Sequence, residues 1–583
     1  MKEPSSTQSG PPRGHLGRRV LGLLVDRIDD TFQNDLLVEL TTVAQQRDLN
    51  LLCFAGGELN PNDPGTRARN RVYALANPDN VDGLIVSSGS LESRIGTEGI
   101  REYLAPFHPL PLCSIGVKLA GTPSIVVDNA VAMRQAVLHL IDDHVRHRIA
   151  FIQGPEGSEE ADQRFGGYAK ALKERQLDVD DRLLAEGDFL ADSGARAIRV
   201  LLDERQILFD AVVAANDEMA LGALEELMRR KIRVPETVAL VGFDDVVRGR
   251  YAARPLTTVR QSMAKHAEVS VDLILGQLRG EKVDSLVRLE TQLVTRRSCG
   301  CPMEQHLPGL RATPSTPSDA TSSLRDRRAP MLIELLAAAP ELKGTKWADR
   351  LVDAYVDQLE GPDPVSLTPV LDDLMERVDE ARLELRLLQP VLTALRRCSA
   401  PALVSRPETL LRAENALHEA RVLLANMMQH REVQRRLETA RLARVLGSFA
   451  QDLITTRDPA SAADSVVRFL PSLGIRSCIL SLYPGVLEGR AAASLDKLQL
   501  LVAYDEQRPE QVIVSDDVYP ARQLAPRSLM PADRASAHVV QPLCLRGRSL
   551  GVALFEVGPP DGAVYESLRA QISAAIERVS GVN

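Results

Sequence analysis

Residues 209–224 read FDAVVAANDEMALGAL and residues 234–245 read VPETVALVGFDD. In each, a four-residue apolar run, Ala211–Ala214 or Val238–Val241, ends on amides or carboxylates. So short a run, flanked by polar residues, reads as a strand buried on both faces. The same style continues outward from Arg19 to about Arg297, with Val20–Val25, Leu51–Phe54, Gly83–Val86, Pro111–Ile115, Ser124–Val127 and Ile149–Ile152 as further strands. Helical stripes lie between them, such as Leu36, Leu37, Leu40, Val43 and Ala44. This alternation is the pattern of a parallel α/β sheet. About ten strands exceed one sheet of ordinary size, so the segment reads as two α/β lobes.

Beyond it the pattern changes. Residues 303–328 are rich in Pro, Ser and Thr (RATPSTPSDATSS) and read as a linker, because such a composition cannot bury enough to order itself. Residues 329–446 read as a helical connector. Within it Leu410, Ala413, Leu417, Ala420, Leu424 and Met427 keep heptad spacing until Arg431 interrupts, which fits a short coiled coil or a helix in a bundle. After Gly447 the reading is α+β through residue 583. Its strands are Cys478–Tyr483, Leu498–Tyr504 and Gly551–Phe555, and its last helix carries Leu568, Ile572 and Ile576. Residues 1–18 are Pro/Ser/Gly-rich and read as a disordered tail.

Four segments, in order, resemble the effector domain of the lactose-repressor (LacI/GalR) family: GPEGSEEADQRFGGYAKAL at 154–172, the two stretches quoted above, and RPLTTVRQ at 254–261. The resemblance covers residues 19–302. It implies a periplasmic-binding-protein-like (type I) fold: two lobes joined by three crossovers, a small-molecule effector in the cleft, and a dimer formed by the lobes. The helices around 409–428 are a second candidate for dimer contacts. The family's effector contacts then fall on Arg164, Phe189, Asn216 and Asp244. Phe32, in the loop after the first strand, and Glu160, in a loop facing the cleft, are further candidates. An Arg fork and a carboxylate suit a polyol or heterocycle with mixed donors and acceptors, and Phe189 suits a sugar or purine face. Each has a plainer reading: Arg164 as half of an ion pair, Asn216 and Asp217 as an N-cap, Asp244 as a turn cap. The ending RRSCGCP at 296–302, a helical segment and an α+β module resemble bacterial sensor proteins that carry a GAF-like domain. On this reading there is no helix-turn-helix ahead of the first strand.

Bulk chemistry narrows the function. A net charge of -9 and a pI near 5.7 argue against a chain that coats nucleic acid, and aromatics at 4% argue against base-stacking platforms. No run approaches the ~20 apolar residues of a membrane span, and residues 1–19 lack a signal peptide's apolar core, so a cytoplasmic location is expected. Seven cysteines, an odd number, fit a reducing compartment. The pair Cys299-Gly300-Cys301 has no second Cys/His pair nearby in sequence and reads as structural, so no metal and no cofactor are expected. Gly56-Gly57-Glu58 resembles a cyclase motif but sits in a strand-to-helix loop. His418-Glu419 resembles a kinase phosphoacceptor, without an ATP-binding box downstream, and reads as helix surface. No catalytic constellation emerges. The leading expectation is therefore a sugar or nucleobase sensor, not an enzyme, that signals by lobe closure to a partner in trans (a kinase, a cyclase or a transcription factor). DNA binding by the chain alone is unexpected on this reading. The alternative is a LacI-family transcriptional regulator acting on DNA directly or through a partner.

Overall fold

The apolar runs become the strands of two sheets in a computed structural model. It describes residues 18–301, 323–340, 342, 344–361, 366–380, 385–488, 490, 494–507, 517–531 and 533–581. The tail expected at 1–18, but for its last residue, and most of the linker expected at 303–328 lie outside the described residues. So does any statement about a helix-turn-helix at that end. The described residues fall into two units: those to 301 together with those from Leu442 on, and the helical stretch between.

In the first lobe, β1 (Val20–Val25), β2 (Asn50–Ala55), β3 (Gly83–Ser87), β4 (Leu112–Ile115) and β5 (Ser124–Val127) are buried end to end and pair in parallel. In the second, β6 (Ile149–Ile152), β7 (Leu184–Ala185), β8 (Ala211–Ala214) and β9 (Ala239–Val241) form a parallel sheet in the order β7-β6-β8-β9. β10 (Thr258–Arg260) pairs antiparallel with β12 (Gln292–Val294), whereas β11 (Leu286–Leu289) returns to the first sheet beside β5. The chain thus crosses between lobes three times, after β5, after β10 and between β11 and β12. Parallel strands need helical crossovers, so all the strand-to-helix turns gather at one edge of each sheet. The two lobes turn those edges toward each other.

The chain from Leu442 on adds a feature absent from the sequence reading. β13 (Ser477–Leu482), β14 (Lys497–Asp505), β15 (Val518–Pro520), β16 (Ala537–Leu545) and β17 (Arg548–Glu556) pair antiparallel among themselves. β16 also lies parallel to β2, Ala537 opposite Leu51 through Val540 opposite Phe54. One eleven-stranded sheet results, β11-β5-β4-β3-β1-β2-β16-β17-β13-β14-β15. Leu51 and Phe54 share a core with Val539, Leu568 and Phe449. β16 escapes a sequence reading because Pro542 sits in its middle, and proline argues against a central strand. The structure resolves the conflict by position. Pairing with β2 stops at Val540, so Pro542 has a paired residue only on β17, Val552.

The second unit is helical: Arg328–Ala338, Lys346–Glu360, Thr368–Glu380, Leu388–Leu403 and the start of Pro407–Thr455 surround Trp347, Leu351, Tyr355 and Leu392. Ala413, Leu417, Ala420 and Leu424 are buried in this core, and His418 is exposed. One boundary differs from expectation. The helix Pro407–Thr455 runs 49 residues, and its final turns pass through Gly447 rather than ending there. A helical glycine costs only about 1 kcal/mol relative to alanine, and burial of Phe449 and Leu453 in the first unit's core offsets that.

The β2–β16 seam is pinned at its start by side chain as well as backbone. Leu51 N–H donates to the Ser536 carbonyl (3.0 Å), and the buried Asn50 accepts from Ser536 N–H through Oδ1 (3.0 Å). Asn50→Ala leaves that N–H unpaired, a cost of about 1–3 kcal/mol. Hydrogen exchange should then quicken at residues 536–540 and along β2. Unchanged protection would mean the seam does not depend on this bond.

Candidate functional site

The facing strand ends enclose a cleft of about 1110 Å³. From the first lobe it takes the β1 loop (Asp26, Asp29, Asp30), Phe32, Gly57 and Glu58; from the second, Glu160, Arg164, Phe189, Asn216 and Asp244. All six residues singled out in the sequence line this cavity. Phe32 stands in the first turn of the helix Thr31–Gln46 rather than in a loop. Asp30 supplies the cap, its Oδ1 accepting from Gln33 N–H at 3.2 Å. Glu160 is likewise helical, one residue into Glu159–Glu174, because Ser158 caps that helix and starts it early.

Arg164 lies on the same helix, only 3% exposed. Its Nε donates to Asn129 Oδ1 (2.9 Å) and its Nη1 to the Ala215 carbonyl (2.8 Å). The guanidinium stacks over Phe243 at 4.0 Å, with Phe189 farther off at 5.9 Å. Nη2 stands 3.5 Å from Glu160 Oε1 and 3.6 Å from Asp244 Oδ1, longer than a direct hydrogen bond. The structural and ligand readings of Arg164 therefore hold different atoms. Two nitrogens are anchored to protein, and the third sits between two carboxylates on the cavity wall.

Asp244 and Asp245 divide the same way. Asp245 is clamped by Arg296 (2.5 Å), Arg260 (2.6 Å) and Arg250 (3.0 Å). Burial pushes its carboxyl up, but the three arginines hold it below the ordinary value. Asp244 faces the cleft and accepts from Gln261 Nε2 (2.7 Å). Burial lifts it to about 6 against the pull of Arg164 and Gln261. Asn216 is engaged at both ends. Oδ1 caps the helix Asp217–Arg229 at Met219 N–H (3.0 Å), and Nδ2 donates to the Phe189 carbonyl (2.9 Å). In this state Asn216 holds Phe189 in place. Phe189, Asp244 and Asp245 all have left-handed backbones, φ 66°, 112° and 60°. For non-glycine residues that strain persists only where surroundings enforce it, and it concentrates at binding sites.

Several contributors carried no motif. Thr31 Oγ1 donates across the cleft to Glu218 Oε1 (2.8 Å), and Glu159 N–H donates to Glu92 Oε1 (2.8 Å), so the lobes touch. Glu160 packs against Gly89 and Gly116: a Cβ at Gly89 would stand 2.4 Å from Glu160 Oε2 and would push that carboxylate aside. Asp30, which caps the helix and lines the cavity, was not singled out in the sequence. The cavity wall as a whole is acidic. Asp26, Asp29, Asp30, Glu58, Glu156, Glu160, Asp188, Glu218, Asp244 and Glu566 outnumber Arg27, Arg69, Arg94 and Arg164.

This crowding predicts a pH dependence for opening of the cleft. Burial, then Asp26, Glu218 and Asp244, raises Asp30 to about 7. Burial, with Glu160 and Glu159, raises Glu92 to about 7. Opening the cleft rehydrates these carboxyls and returns them toward ordinary values, so the closed form binds more protons. Stabilisation of closure is fully present below the ordinary carboxyl range and is lost as pH rises through about 7. A fluorophore pair, one on each lobe, should report more closure in the ligand-free protein at pH about 6 than at about 8. The opposite trend would contradict these assignments.

Comparison with known proteins agrees with this geometry. Residues 137–299 match the family model described as a periplasmic binding protein-like domain. The chain is 37% identical over 185 residues to the HTH-type transcriptional regulator CelR of Thermobifida fusca, covering 32% of this chain and 54% of that protein. It is 32% identical over 219 residues to the HTH-type transcriptional repressor CytR of Escherichia coli, covering 37% and 62%. A third relative, the HTH-type transcriptional repressor PurR of Haemophilus influenzae, is 28% identical over 242 residues, covering 41% and 69%. The chain thus spans between about half and two thirds of the length of these curated relatives. They are named as regulators rather than enzymes, which fits the non-enzymatic reading. They favour the transcriptional alternative over signalling to a partner in trans, and weigh against the expectation that DNA is not contacted. Among the described residues no helix is long and apolar enough to cross a membrane. Residues 137–299 are thus similar to periplasmic binding protein-like domains, and the described residues to 301 form two lobes joined by three crossovers around a polar cleft.

Proposed function

We propose that the chain is a ligand-responsive regulator of transcription whose effector is a small, uncharged, hydroxyl-rich compound, a sugar or a nucleoside. The observation that carries the ligand class is the acidic cavity wall. Carboxylates accept hydrogen bonds from hydroxyls and ring N–H groups, whereas a phosphate or carboxylate ligand would meet like charge. Phe189 and Phe32 offer apolar faces to a ring. Glu160 and Asp244, spaced by the Arg164 guanidinium, accept from neighbouring hydroxyls. The likeness to CelR and CytR supports the regulatory half of the reading.

The route for a signal lies in the β1 loop and the first turn of the helix Thr31–Gln46. Asn34, just beyond Phe32, accepts from Gly562 N–H (2.9 Å) and donates to the Pro560 carbonyl (3.2 Å). A Cβ on Gly562 would stand 1.6 Å from the Ile28 carbonyl, so this helix start can approach the loop only as glycine. Glu566, one turn on, pairs with Arg69 (2.8 Å) and reaches the cavity wall. Closure of the lobes around a ligand therefore pulls on the C-terminal module directly. We read that module as GAF-like and as the part that passes the signal on. This contact is also what favours a second reading, in which the module recruits a kinase, a cyclase or a transcription factor. A homodimer, through the lobes or the helix near 409–428, belongs to either reading.

Two experiments test this. A thermal-shift screen of neutral sugars and nucleosides, with their phosphates as controls, should give hits among the neutral compounds. At 100 times its dissociation constant a hit adds about 2.7 kcal/mol. For such a hit, Asp244→Asn should weaken binding about 30- to 150-fold, the equivalent of about 2–3 kcal/mol. The melting temperature without ligand should hold or rise, since a buried charge is removed. Arg164→Ala should lower both, because it also strips Asn129 and the Ala215 carbonyl of their donor. Unchanged affinity in Asp244→Asn would remove Asp244 from the site. The second is a mobility-shift assay on the DNA upstream of the chain's own gene. The proposal expects sequence-dependent binding, by the chain or a DNA-binding partner added to it, that the hit alters. No ligand-dependent binding in either form would leave the recruiting reading in its place.

A further inference from the structure

We propose that His139, His144, Cys299 and Cys301 form a tetrahedral zinc site that ties the last segment of the second lobe to that lobe's first helix. The helix Asn129–Asp142 carries His139, and His144 follows its end. The cysteines stand some 160 residues later, beyond β12. A second Cys/His pair is therefore present, but the fold supplies it rather than the sequence neighbourhood, and the structural reading of the Cys299-Gly300-Cys301 pair had no means of seeing it.

The geometry is that of a ligand set. One donor atom from each residue lies within 4.8 Å of every other. His139 Nε2 is 3.4 Å from Cys299 Sγ, 3.5 Å from Cys301 Sγ and 3.2 Å from His144 Nε2, and His144 Nε2 is 3.4 Å from Cys301 Sγ. With Zn–N of about 2.0–2.1 Å and Zn–S of about 2.3 Å, the edges of a zinc tetrahedron are about 3.3 Å between nitrogens and about 3.6 Å from nitrogen to sulfur. The four distances given match those edges to within about 0.2 Å, and the remaining two lie within 4.8 Å. The outer contact fits as well. His139 Nδ1 is 2.6 Å from Asp143 Oδ2, the carboxylate–histidine arrangement that sets which ring nitrogen faces a metal and steadies the ring. Both cysteines are buried and none of the chain's described cysteines is in a disulfide. Gly300, between them, has φ +114°, and a Cβ there would approach His144 Nδ1 at 3.1 Å. The glycine lets both sulfurs turn to one point.

Two thiolates and two neutral imidazoles balance the charge of Zn²⁺, the two thiol protons leaving to solvent as the metal binds. The site would fasten the stretch that also carries Arg296, whose guanidinium grips Asp245 beside the cleft, and Ser298, which bonds the Leu240 carbonyl and Thr257 N–H. Its role is structural: four protein ligands leave no open position for a substrate.

The test uses the full chain, stripped with a chelator under reducing conditions and titrated with Co²⁺ and then Zn²⁺. The proposal expects one equivalent of Co²⁺ with the intense visible bands of a tetrahedral ion and a sulfur-to-cobalt charge-transfer band, both erased by one equivalent of Zn²⁺. It expects a higher melting temperature with Zn²⁺ than without. In Cys299→Ser/Cys301→Ser the charge-transfer band should vanish and the zinc-dependent melting shift with it. His144→Gln, which keeps both thiols, should weaken Co²⁺ binding at least tenfold while retaining the sulfur band, which covers the case of a double variant that does not fold. Absence of a charge-transfer band in the wild-type chain would overturn the site. So would a count of accessible thiols in the denatured chain that is two short because Cys299 and Cys301 are joined.

Discussion

A single buried guanidinium organises the cleft. Arg164 sits almost out of reach of water, and a charge in that position is tolerable only if its donors are met. Asn129 and the Ala215 carbonyl meet two of them, and in doing so bind the helix Glu159–Glu174 to the start of the neighbouring helix and to the end of β8. Phe243 covers one face of the group. The remaining nitrogen then fixes where Glu160 and Asp244 can stand. Without that positive charge the two carboxylates would lose the cation nearest to them, while Asp30 across the cleft adds to their repulsion. The strained backbones of Phe189 and Asp244 are what this arrangement stabilises at local cost.

The lobes were legible because buried parallel strands must be short apolar runs, and their polar ends must lie at the carboxyl edge. All six residues singled out do line the cleft. What the sequence could not show is how each side chain divides its atoms. Asn216 looks the same whether it caps a helix or meets a ligand, and here its cap and its bond to Phe189 occupy both ends. Asp244 and Asp245 are identical in type, and only the positions of Arg250, Arg260 and Arg296 tell one from the other. The pairing of β16 with β2 was out of reach for a different reason. It joins residues nearly 490 positions apart, and nothing local encodes a parallel seam. The histidines beside Cys299 and Cys301 were hidden by the same kind of separation.

That seam changes what the C-terminal module can do. A domain on a flexible tether would sense the ligand only through a partner, whereas a module that shares a sheet and a core with the first lobe moves with it. The β1 loop, with the first turn of the helix that follows it, then bears two loads. Its cleft side carries Asp29, Asp30 and Phe32, and its outer side carries Ile28 and Asn34 against Gly562. Packed cores shift between discrete arrangements rather than deforming smoothly, so a change on one side of so short a loop is felt on the other.

Hydrogen exchange of the full chain, with and without a saturating neutral effector, tests this account most directly. It predicts slower exchange in three cleft segments, residues 26–36, 156–166 and 242–246, and in the same experiment a change at residues 558–564, none of which lines the cavity. Protection confined to the cleft would sever the link to the C-terminal module. Protection that avoids the cleft segments altogether would contradict the site itself.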